Sequence, residues 1–315
     1  MITYNQKAYI KEAVEGVLMQ KTNFRIELII GDDCSTDGTR DLLIKYRERY
    51  PKVIRLILHP QKNEGIPGKM NFLSTLHAAT GKYVALCDGD DYWTDRGKLQ
   101  KQVDFLETNP EYAICCHRVY IKKGKKKPKL DDKNIFAPVT EATYDIGMMA
   151  KYGNLTATPS VVYRNKLFSS FPTWFNQSPI GDYVLHMLNA QYGKIKYFPE
   201  PMAVYRDHST GAWGGKTVKV NAAGMMKALE LLLTEPFNEP VKEGLREQLR
   251  NQKATYLNEL VKEDWDFFYH EFNRITKEDK GVPLALIEKM KNDMDAFRGS
   301  RTYRAMDKLK RMSKS

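Results

Sequence analysis

The stretch TGKYVALCDGDDYW (residues 80–93) places a short apolar run directly before a dense acidic cluster. The run 83–87 is typical of a buried strand, and Asp88, Asp90 and Asp91 follow it immediately. Carboxylates this close together repel one another, so the arrangement is costly unless a cation neutralises them. Carboxylate oxygens favour Mg²⁺ or Mn²⁺, and such an ion often completes its shell with substrate phosphates. The stretch therefore predicts a divalent-metal site that binds the diphosphate of a nucleotide.

The rest of the N-terminal region continues the alternation of strand and helix around this stretch. Residues 27–30 form a second apolar run, which ends at Asp32-Asp33, and residues 53–58 form another. Apolar residues at helical spacing separate these runs, for example over residues 7–19. Short apolar strands between amphipathic helices are typical of a mostly parallel sheet with both faces covered, so an α/β fold is predicted.

Polar clusters follow the predicted strands where each strand ends. Thr3-Tyr4-Asn5 and Asp32-Asp33 occupy two such ends, and the acidic cluster after residue 87 occupies a third. Because ligands of open parallel sheets bind at the carboxyl ends of the strands, we expect these clusters to converge on one site. The alternative for each cluster is an ordinary polar turn stabilised by side-chain hydrogen bonds to the backbone.

Composition indicates a folded chain with a basic surface. The 315 residues include 50 Lys and Arg against 39 Asp and Glu, a formal charge of +11, and 42% are hydrophobic, which is enough for a core. The sequence contains no apolar run near the ~20 residues of a membrane span and no signal-peptide pattern. Four cysteines without a CxxC pair favour a reduced, cytoplasmic setting.

Two basic segments contribute much of the positive charge: the lysine run 122–129 and the tail residues Lys308, Lys310, Arg311 and Lys314. The simplest interpretation is solvated surface, and the alternatives are an anionic ligand or an anionic membrane surface. Nucleic acid is the weakest alternative, because no aromatic-rich RNA-binding pattern and no helix-turn-helix pattern accompanies the charge.

The pattern divides the chain into two predicted regions. Residues 1–216 carry the strands and, near Asp182, the start of a helix. From residue 217 apolar residues recur at helical spacing, so residues 217–315 are predicted to form a mainly helical C-terminal region. Met1 stands very close to the end of the first strand, so either that strand is very short or the native start lies upstream.

Taken together, these segments resemble family 2 glycosyltransferases with the GT-A fold, of the type that builds bacterial polysaccharides. The segments that carry the resemblance are Thr3-Tyr4-Asn5, ELIIGDDCSTDGT (27–39), NEGIPGKMN (63–71), TGKYVALCDGDDYW (80–93) and LQKQVDFLETNP (99–110). Their order, spacing and content are specific, and the resemblance covers roughly residues 1–215. It implies a Rossmann-like, mostly parallel central sheet flanked by helices, to which the helical C-terminal region is appended.

The resemblance implies which residues bind the nucleotide and the metal. Asp91 is the expected direct metal ligand, Mn²⁺ or Mg²⁺ being the expected cofactor. Lys69 precedes Met70 and Asn71, one position away from the usual spacing of a phosphate-binding residue. The residues expected to bind the nucleotide are Thr3, Tyr4, Asn5, Asp32, Asp33, Lys69, Asp88 and Asp90.

The resemblance also implies a catalytic base and a closing loop. IGDYVLHML (180–188) fits the position of the base, and Asp182 is the candidate, although an Asp at a helix start is also a common N-cap. In YRDHSTGAWGG (205–215), His208 is the expected further metal ligand, Arg206 a phosphate clamp and Trp213 a cover for the sugar.

The function that follows is metal-dependent transfer of a sugar from a nucleotide donor, with UDP as the expected nucleotide, to a hydroxyl of a glycan or lipid-linked acceptor. The attack opposite the leaving group predicts inversion at the anomeric carbon. One alternative is a nucleotidyltransferase or phosphohydrolase that uses the same carboxylates, although the expected glycine-rich phosphate loop is missing after the first strand. The other is a non-catalytic module that binds a partner or, peripherally, the inner face of a membrane through its basic tail.

Overall fold

The computed structural model describes residues 1–131, 142–211, 214–263 and 265–299. The strands are β1 (Ile2–Thr3), β2 (Leu28–Asp32), β3 (Ile54–Leu58), β4 (Tyr83–Ala85), β5 (Tyr92–Trp93), β6 (Tyr112–His117), β7 (Tyr120–Lys123), β8 (Lys129–Leu130), β9 (Ala142–Tyr144), β10 (Val162–Arg164), β11 (Lys194–Phe198) and β12 (Ala203–Asp207). The helices are α1 (Ile10–Leu18), α2 (Thr39–Arg49), α3 (Lys69–Ala78), α4 (Lys98–Thr108), α5 (Ile146–Tyr152), α6 (Asp182–Ala190), α7 (Val218–Leu232), α8 (Glu239–Glu263), α9 (Trp265–Glu278) and α10 (Val282–Gly299).

The N-terminal strands form the parallel arrangement that the sequence predicts. β2 pairs in parallel with β1 on one side and with β3 on the other. The backbone N–H of Gly89 donates to the carbonyl of Ile2 at 2.9 Å, which joins the segment after β4 to β1. The polar residues that follow β1, β2 and β4 therefore lie beside one another.

The remaining strands form mixed sheets. β10 lies between β4 and β6 and is antiparallel to both, while β6 and β11 are parallel. A separate sheet has the order β5-β12-β7-β8, in which β12 and β7 are parallel. The predicted parallel pairing is therefore found for β1, β2 and β3, whereas the sheets of the later strands contain both parallel and antiparallel pairs.

The turn before α2 shows how the sequence sets a helix start. Gly38 has φ +94°, a left-handed conformation that glycine adopts without strain. One oxygen of the Asp37 carboxylate accepts hydrogen bonds from the backbone N–H of Thr39 at 2.9 Å and from its hydroxyl at 2.6 Å. These hydrogen bonds close the turn directly before α2, which begins at Thr39.

The described part of the C-terminal region, which ends at residue 299, is helical, as predicted, and shares a core with the preceding residues. α7 packs against α8, and α8 packs against α5. Leu229 and Leu245 are fully buried in the same apolar cluster as Ile114 of β6. The division at residue 216 stays a prediction, and the basic tail from Lys308 lies outside the described residues. Among the described helices, none combines the length and the apolar character that crossing a bilayer requires.

A cavity of about 590 Å³ lies beside the short strand β1. Its lining is mostly apolar and includes Ile2, Leu28, Ile29 and Val84. The cavity occupies the space between β2 and β4 that the two residues of β1 leave unfilled.

Lys98, at the start of α4, is a fully buried cation. Its Nζ donates to Oε1 of Gln102 at 2.8 Å and lies 4.2 Å from the centre of the Trp93 ring. Burial lowers the pKa of Lys98 to about 7. Between about pH 7 and pH 10 the unfolded chain keeps this proton, whereas the folded chain has released it. The free energy of unfolding should therefore rise with pH from about 7 to about 10.

Replacing Lys98 by Met is therefore expected to stabilise the chain more at pH 7 than at pH 10. The expected difference between the two gains is about 3 kcal/mol, because one pKa unit corresponds to about 1.4 kcal/mol. Urea unfolding at both pH values measures it. The matched control is the exposed Lys45, for which Lys45→Met should give the same change at both pH values. An equal effect of Lys98→Met at both pH values would contradict the conclusion that burial lowers the pKa of Lys98.

Candidate active site

Asp88, Asp90 and Asp91, the acidic cluster, bring three carboxylates together directly after β4. One oxygen from each lies within 4.8 Å of the others. Burial, followed by the charge of Asp90, raises the pKa of Asp88 to about 7. Asp88 and Asp90 are partly buried and Asp91 is buried, so three carboxyl groups that repel one another lie close together, an arrangement that would suit a hard divalent cation.

Asp91 is the most deeply buried member of the acidic cluster. Its side chain is 1% exposed, and burial followed by the charges of Asp90 and Asp88 raises the pKa of the carboxyl well above its ordinary value. One oxygen accepts a hydrogen bond from the backbone N–H of Arg206 at 2.8 Å. The other oxygen is buried without a hydrogen-bond partner among the described residues. A buried carboxylate oxygen without a donor fits a metal ligand, because a cation would satisfy it.

The end of β12 covers the acidic cluster from the opposite side. Nε2 of His208 lies 3.1 Å from Oδ2 of Asp90, and both side chains are nearly buried. The Arg206 guanidinium donates to the Asp90 carbonyl and to the Glu12 carboxylate, and it lies 4.4 Å from the centre of the Tyr92 ring. His208 is thus placed where a ligand to the same ion would be, whereas the Arg206 guanidinium contacts protein groups. The third residue predicted here, Trp213, lies outside the described residues.

The segment after β1 is joined to the segment after β2 by hydrogen bonds. The backbone N–H of Asn5 donates to the Ser35 hydroxyl at 2.9 Å, and the Asn5 side-chain carbonyl accepts from the N–H of Thr36 at 2.8 Å. Asn5 has φ +51°, a left-handed conformation that Asn tolerates better than most residues. The Asn5 side-chain carbonyl therefore helps to fix this loop, and the nucleotide-binding role of Asn5 stays a prediction.

Two aspartates follow one another at the end of β2 but make different contacts. Asp32 is fully buried, and its carboxylate accepts from Nε of Arg40 at 2.6 Å. Asp33 is 3% exposed, and its carboxylate accepts from the backbone and side-chain N–H groups of Asn63 at 3.0 and 2.5 Å. Asp33 therefore links β2 to the loop before α3. Asp32 anchors α2.

Tyr4 and Thr3 flank the same edge of the sheet with different exposure. The Tyr4 ring is 40% exposed, and Nζ of Lys62 lies 4.4 Å from its centre. Thr3 is buried, and its hydroxyl has no hydrogen-bond partner among the described residues. A methyl group at Gly89 would come within 2.8 Å of Cβ of Thr3, so the central glycine of the acidic cluster allows the two segments to approach closely.

Asp182 lies at the start of α6 and is held by residues from another segment. One oxygen accepts from Nδ2 of Asn154 at 3.0 Å and from the Thr158 hydroxyl at 3.3 Å. The other accepts from the N–H of Tyr183 at 2.7 Å. The N-cap of α6 is Gly181, so Asp182 is not the N-cap that the alternative interpretation required. Its charge acts on Asp88, which places it near the acidic cluster.

Lys69 lies beside Asp182. Its Nζ is 3.4 Å from the Ile180 carbonyl and 4.7 Å from the centre of the Phe175 ring. Burial lowers the pKa of Lys69 to about 8, and the charge of Asp182 opposes this shift. Lys69 is 4% exposed, so the structure places it in a buried position beside the candidate base, and its phosphate role stays a prediction.

Tyr205 is a site residue that sequence reasoning missed. It lies on β12, and burial followed by the charges of Asp91, Asp182, Asp90 and Asp88 raises the pKa of its hydroxyl. The hydroxyl is therefore close enough to these four carboxylates for their charges to act on it. Its position directly before Arg206 in the segment 205–215 was the available signal.

A family model described as "Glycosyl transferase family 2" matches residues 1–169, more than half of the chain. The chain belongs to glycosyl transferase family 2. The resemblance recognised from the motifs is thereby confirmed, and the match includes every candidate residue from Thr3 to Asp91.

Two curated relatives and one solved structure illustrate what this family 2 chain is similar to. An uncharacterized protein of Mycobacterium tuberculosis is 41% identical over 244 residues, which is 74% of this chain and 66% of that protein. The UDP-Glc:alpha-D-GlcNAc-diphosphoundecaprenol beta-1,3-glucosyltransferase WfaP of Escherichia coli is 33% identical over 171 residues, 54% of this chain and 61% of that protein. The chain thus spans less than two thirds of the length of either relative.

The solved structure is the mannosyltransferase PcManGT from Pyrobaculum calidifontis in complex with GDP-Man and Mn²⁺. It has a TM-score of 0.57 at 15% identity and covers 97% of this chain and 81% of its own. At that identity the likeness concerns the fold alone, and it confirms the predicted GT-A class of this family 2 chain. The roles of individual site residues stay predictions.

Proposed function

We propose that the chain is a metal-dependent, inverting glycosyltransferase that moves a sugar from a UDP-sugar to a hydroxyl of a glycan or lipid-linked acceptor. The observation that carries the proposal is the acidic cluster with Asp182 close enough for its charge to act on Asp88: three carboxylates suited to a dication, and one carboxylate held by neutral donors. The relative WfaP, whose name specifies UDP-Glc and a diphosphoundecaprenol-linked sugar, supports UDP as the nucleotide and a lipid-linked acceptor.

Asp91, with Asp88, Asp90 and His208 beside it, is the proposed set that would hold Mn²⁺ or Mg²⁺. The buried, unpartnered oxygen of Asp91 fits this assignment, because it lacks a donor among the described residues. A bound dication would stabilise the negative charge that develops on the leaving diphosphate. The complex of PcManGT with GDP-Man and Mn²⁺ supports manganese.

The nucleotide is proposed to bind along the edge formed by the loops after β1 and β2. Tyr4 offers an exposed ring face, and Asp33 fixes the adjoining loop through Asn63. Thr3 and Gly89 bring this edge against the acidic cluster, which would place a base and its diphosphate in one continuous groove. Arg206, bonded to Glu12 and the Asp90 carbonyl, positions the acidic cluster in this proposal.

Asp182 is proposed to take the proton from the acceptor hydroxyl. Hydrogen bonds from Asn154 and Thr158 orient its carboxylate, which stands apart from the three carboxylates assigned to the metal. The acceptor oxygen attacks the anomeric carbon opposite the diphosphate, so the anomeric configuration inverts. A cytoplasmic location, with peripheral attachment to the inner face of a membrane, would suit a lipid-linked acceptor.

The direct test is to supply nucleotide sugars with Mn²⁺ and identify the released product. A glycosyltransferase releases UDP, whereas a nucleotidyltransferase or phosphohydrolase releases UMP or phosphate. Product stereochemistry, read by NMR of the anomeric proton, tests inversion. Release of UMP or phosphate alone would refute the proposal.

Lys69→Gln separates the two roles that Lys69 could have. Because its Nζ lies beside Ile180 and Asp182, we expect turnover to fall while the affinity for UDP with Mn²⁺ changes by less than about 2-fold. Calorimetry and initial rates measure the two quantities. The control is Lys62→Gln, which removes the cation above the Tyr4 ring and should weaken UDP binding instead. A large loss of UDP affinity in Lys69→Gln would restore the phosphate role predicted from the sequence.

A further inference from the structure

The hairpin formed by β7 and β8 concentrates positive charge on an exposed edge. It carries six lysines, and the one carboxylate between residues 120 and 131 is Asp131 at its end. From Lys123 to Leu130 every residue is exposed. We call this segment the lysine hairpin, and its lysines are Lys122, Lys123, Lys125, Lys126, Lys127 and Lys129.

Strand pairing places the lysine hairpin next to the candidate active site. β7 runs parallel to β12, with Lys122 opposite Arg206 and Lys123 opposite Asp207. Arg206 binds Asp91 through its backbone N–H, and His208 contacts Asp90. Neighbouring strands are about 4.8 Å apart, so the base of the lysine hairpin lies one strand away from the strand that covers the acidic cluster.

Most of the charge on the lysine hairpin is available to a ligand. Within the described part of the chain, the ion pair that involves this hairpin joins Nζ of Lys123 to Oδ2 of Asp207 at 3.1 Å. The tip, from Lys125 to Lys127, is exposed. The hairpin contains lysine and no arginine, so it offers mobile point charges rather than flat bidentate forks. Such charges suit phosphate groups whose positions vary along a chain or a surface.

We propose that the lysine hairpin is the part of the acceptor site that binds phosphate groups carried by the acceptor. The donor diphosphate has its own partner in the proposed dication at the acidic cluster, so a second cationic element on the neighbouring strand serves a second anion. The assignment of this phosphate to the acceptor rests on the proposed glycosyltransferase function. Phosphate binding by the lysine hairpin is independent of that function.

Binding of two phosphate probes to the full chain tests the proposal. The probes are soluble inorganic polyphosphate and phosphatidylcholine vesicles with or without phosphatidylglycerol, which separate soluble from lipid-borne phosphate. The variant K125Q/K126Q/K127Q should weaken binding to at least one probe by about 10-fold or more, and added salt should do the same. The control K45Q/R47Q/K52Q removes the same charge from exposed residues on and beside α2 and should change binding by less than about 2-fold.

A second measurement asks whether the bound phosphate lies in the acceptor path. The probe that binds should change the rate of UDP release from a nucleotide sugar in the wild-type chain but not in K125Q/K126Q/K127Q. Unaltered release with probe bound would overturn the acceptor assignment. Failure of the wild type to bind either probe, or equal losses in the hairpin and control variants, would overturn phosphate binding itself. If no nucleotide sugar yields UDP, both the proposed function and the assignment to the acceptor fail. The binding results then still show whether the lysine hairpin binds phosphate.

Discussion

Asp182→Asn is expected to lower turnover by about 10²–10⁴-fold, the usual contribution of a general base. Asn has the same shape, and its one side-chain oxygen can still accept hydrogen bonds from Asn154 and Thr158, although its amide nitrogen cannot accept from the N–H of Tyr183. The amide cannot take a proton, so the loss should fall on the chemical step. Initial rates of UDP release measure it, and calorimetry with UDP and Mn²⁺ should give an unchanged affinity.

The matched control for this substitution is Asp145→Asn at the N-cap of α5. The Asp145 carboxylate accepts from the N–H of Met148 at 3.0 Å, a contact that Asn also makes. Turnover in Asp145→Asn should equal that of the wild type. Full activity in Asp182→Asn, or equal losses in both variants, would remove Asp182 from the role of base.

Asp91→Asn is expected to abolish metal-dependent UDP binding and, in the absence of metal, to stabilise the fold. Loss of the buried carboxylate should weaken UDP binding in Mn²⁺ by more than about 100-fold, because a metal ion contributes several kcal/mol. Without metal, the same carboxylate is buried beside Asp88 and Asp90 and raises the free energy of the folded chain. Calorimetry with and without Mn²⁺ measures the first effect and thermal unfolding in EDTA the second.

The stabilising effect of Asp91→Asn should depend on pH. A carboxyl whose folded pKa is raised keeps its proton after the unfolded chain has released it, so stability falls as pH rises. For Asp88 this window runs from about pH 4, the ordinary carboxyl value, to the folded value of about 7. The wild type should therefore lose more stability across this window than Asp91→Asn does, because the variant has one repelling carboxylate fewer.

The exposed Asp104→Asn is the control and should leave both metal dependence and the pH profile unchanged. Metal-dependent UDP binding in Asp91→Asn at wild-type strength would contradict the assignment.

The apolar runs in the sequence were sufficient to predict the strands β2 and β4, which end at the candidate site. Residues 27–33 and 80–93 combine a short apolar run with terminal carboxylates, and β2 and β4 form in those runs. The convergence of their ends followed from parallel pairing, which the structure gives for β1, β2 and β3. These features depend on neighbours in sequence and on one topological rule, so they could be predicted.

Contacts between distant segments could not be predicted in the same way. Asp182 meets Asn154 and Thr158, Lys69 meets Ile180, and no spacing in the sequence signals either contact. The N-cap of α6, which was the alternative interpretation of Asp182, is Gly181, and the Asp182 carboxylate accepts hydrogen bonds from Asn154 and Thr158 of another segment. Such pairings are decided by how α3, α5 and α6 pack on the mixed sheet.

The sequence by itself determined which groups the site offers: closely spaced carboxylates that repel one another, at the ends of buried strands. Only the tertiary structure decided how individual side chains are used, because burial and partners depend on packing across more than a hundred residues of chain. Arg206 contacts Glu12, Lys69 lies beside the candidate base, and the charges of four carboxylates act on the Tyr205 hydroxyl. The type of a residue determines whether its side chain can bind a metal, take a proton or form a hydrogen bond. The fold determines the burial and the neighbours of that side chain, and these decide which of the roles it can have.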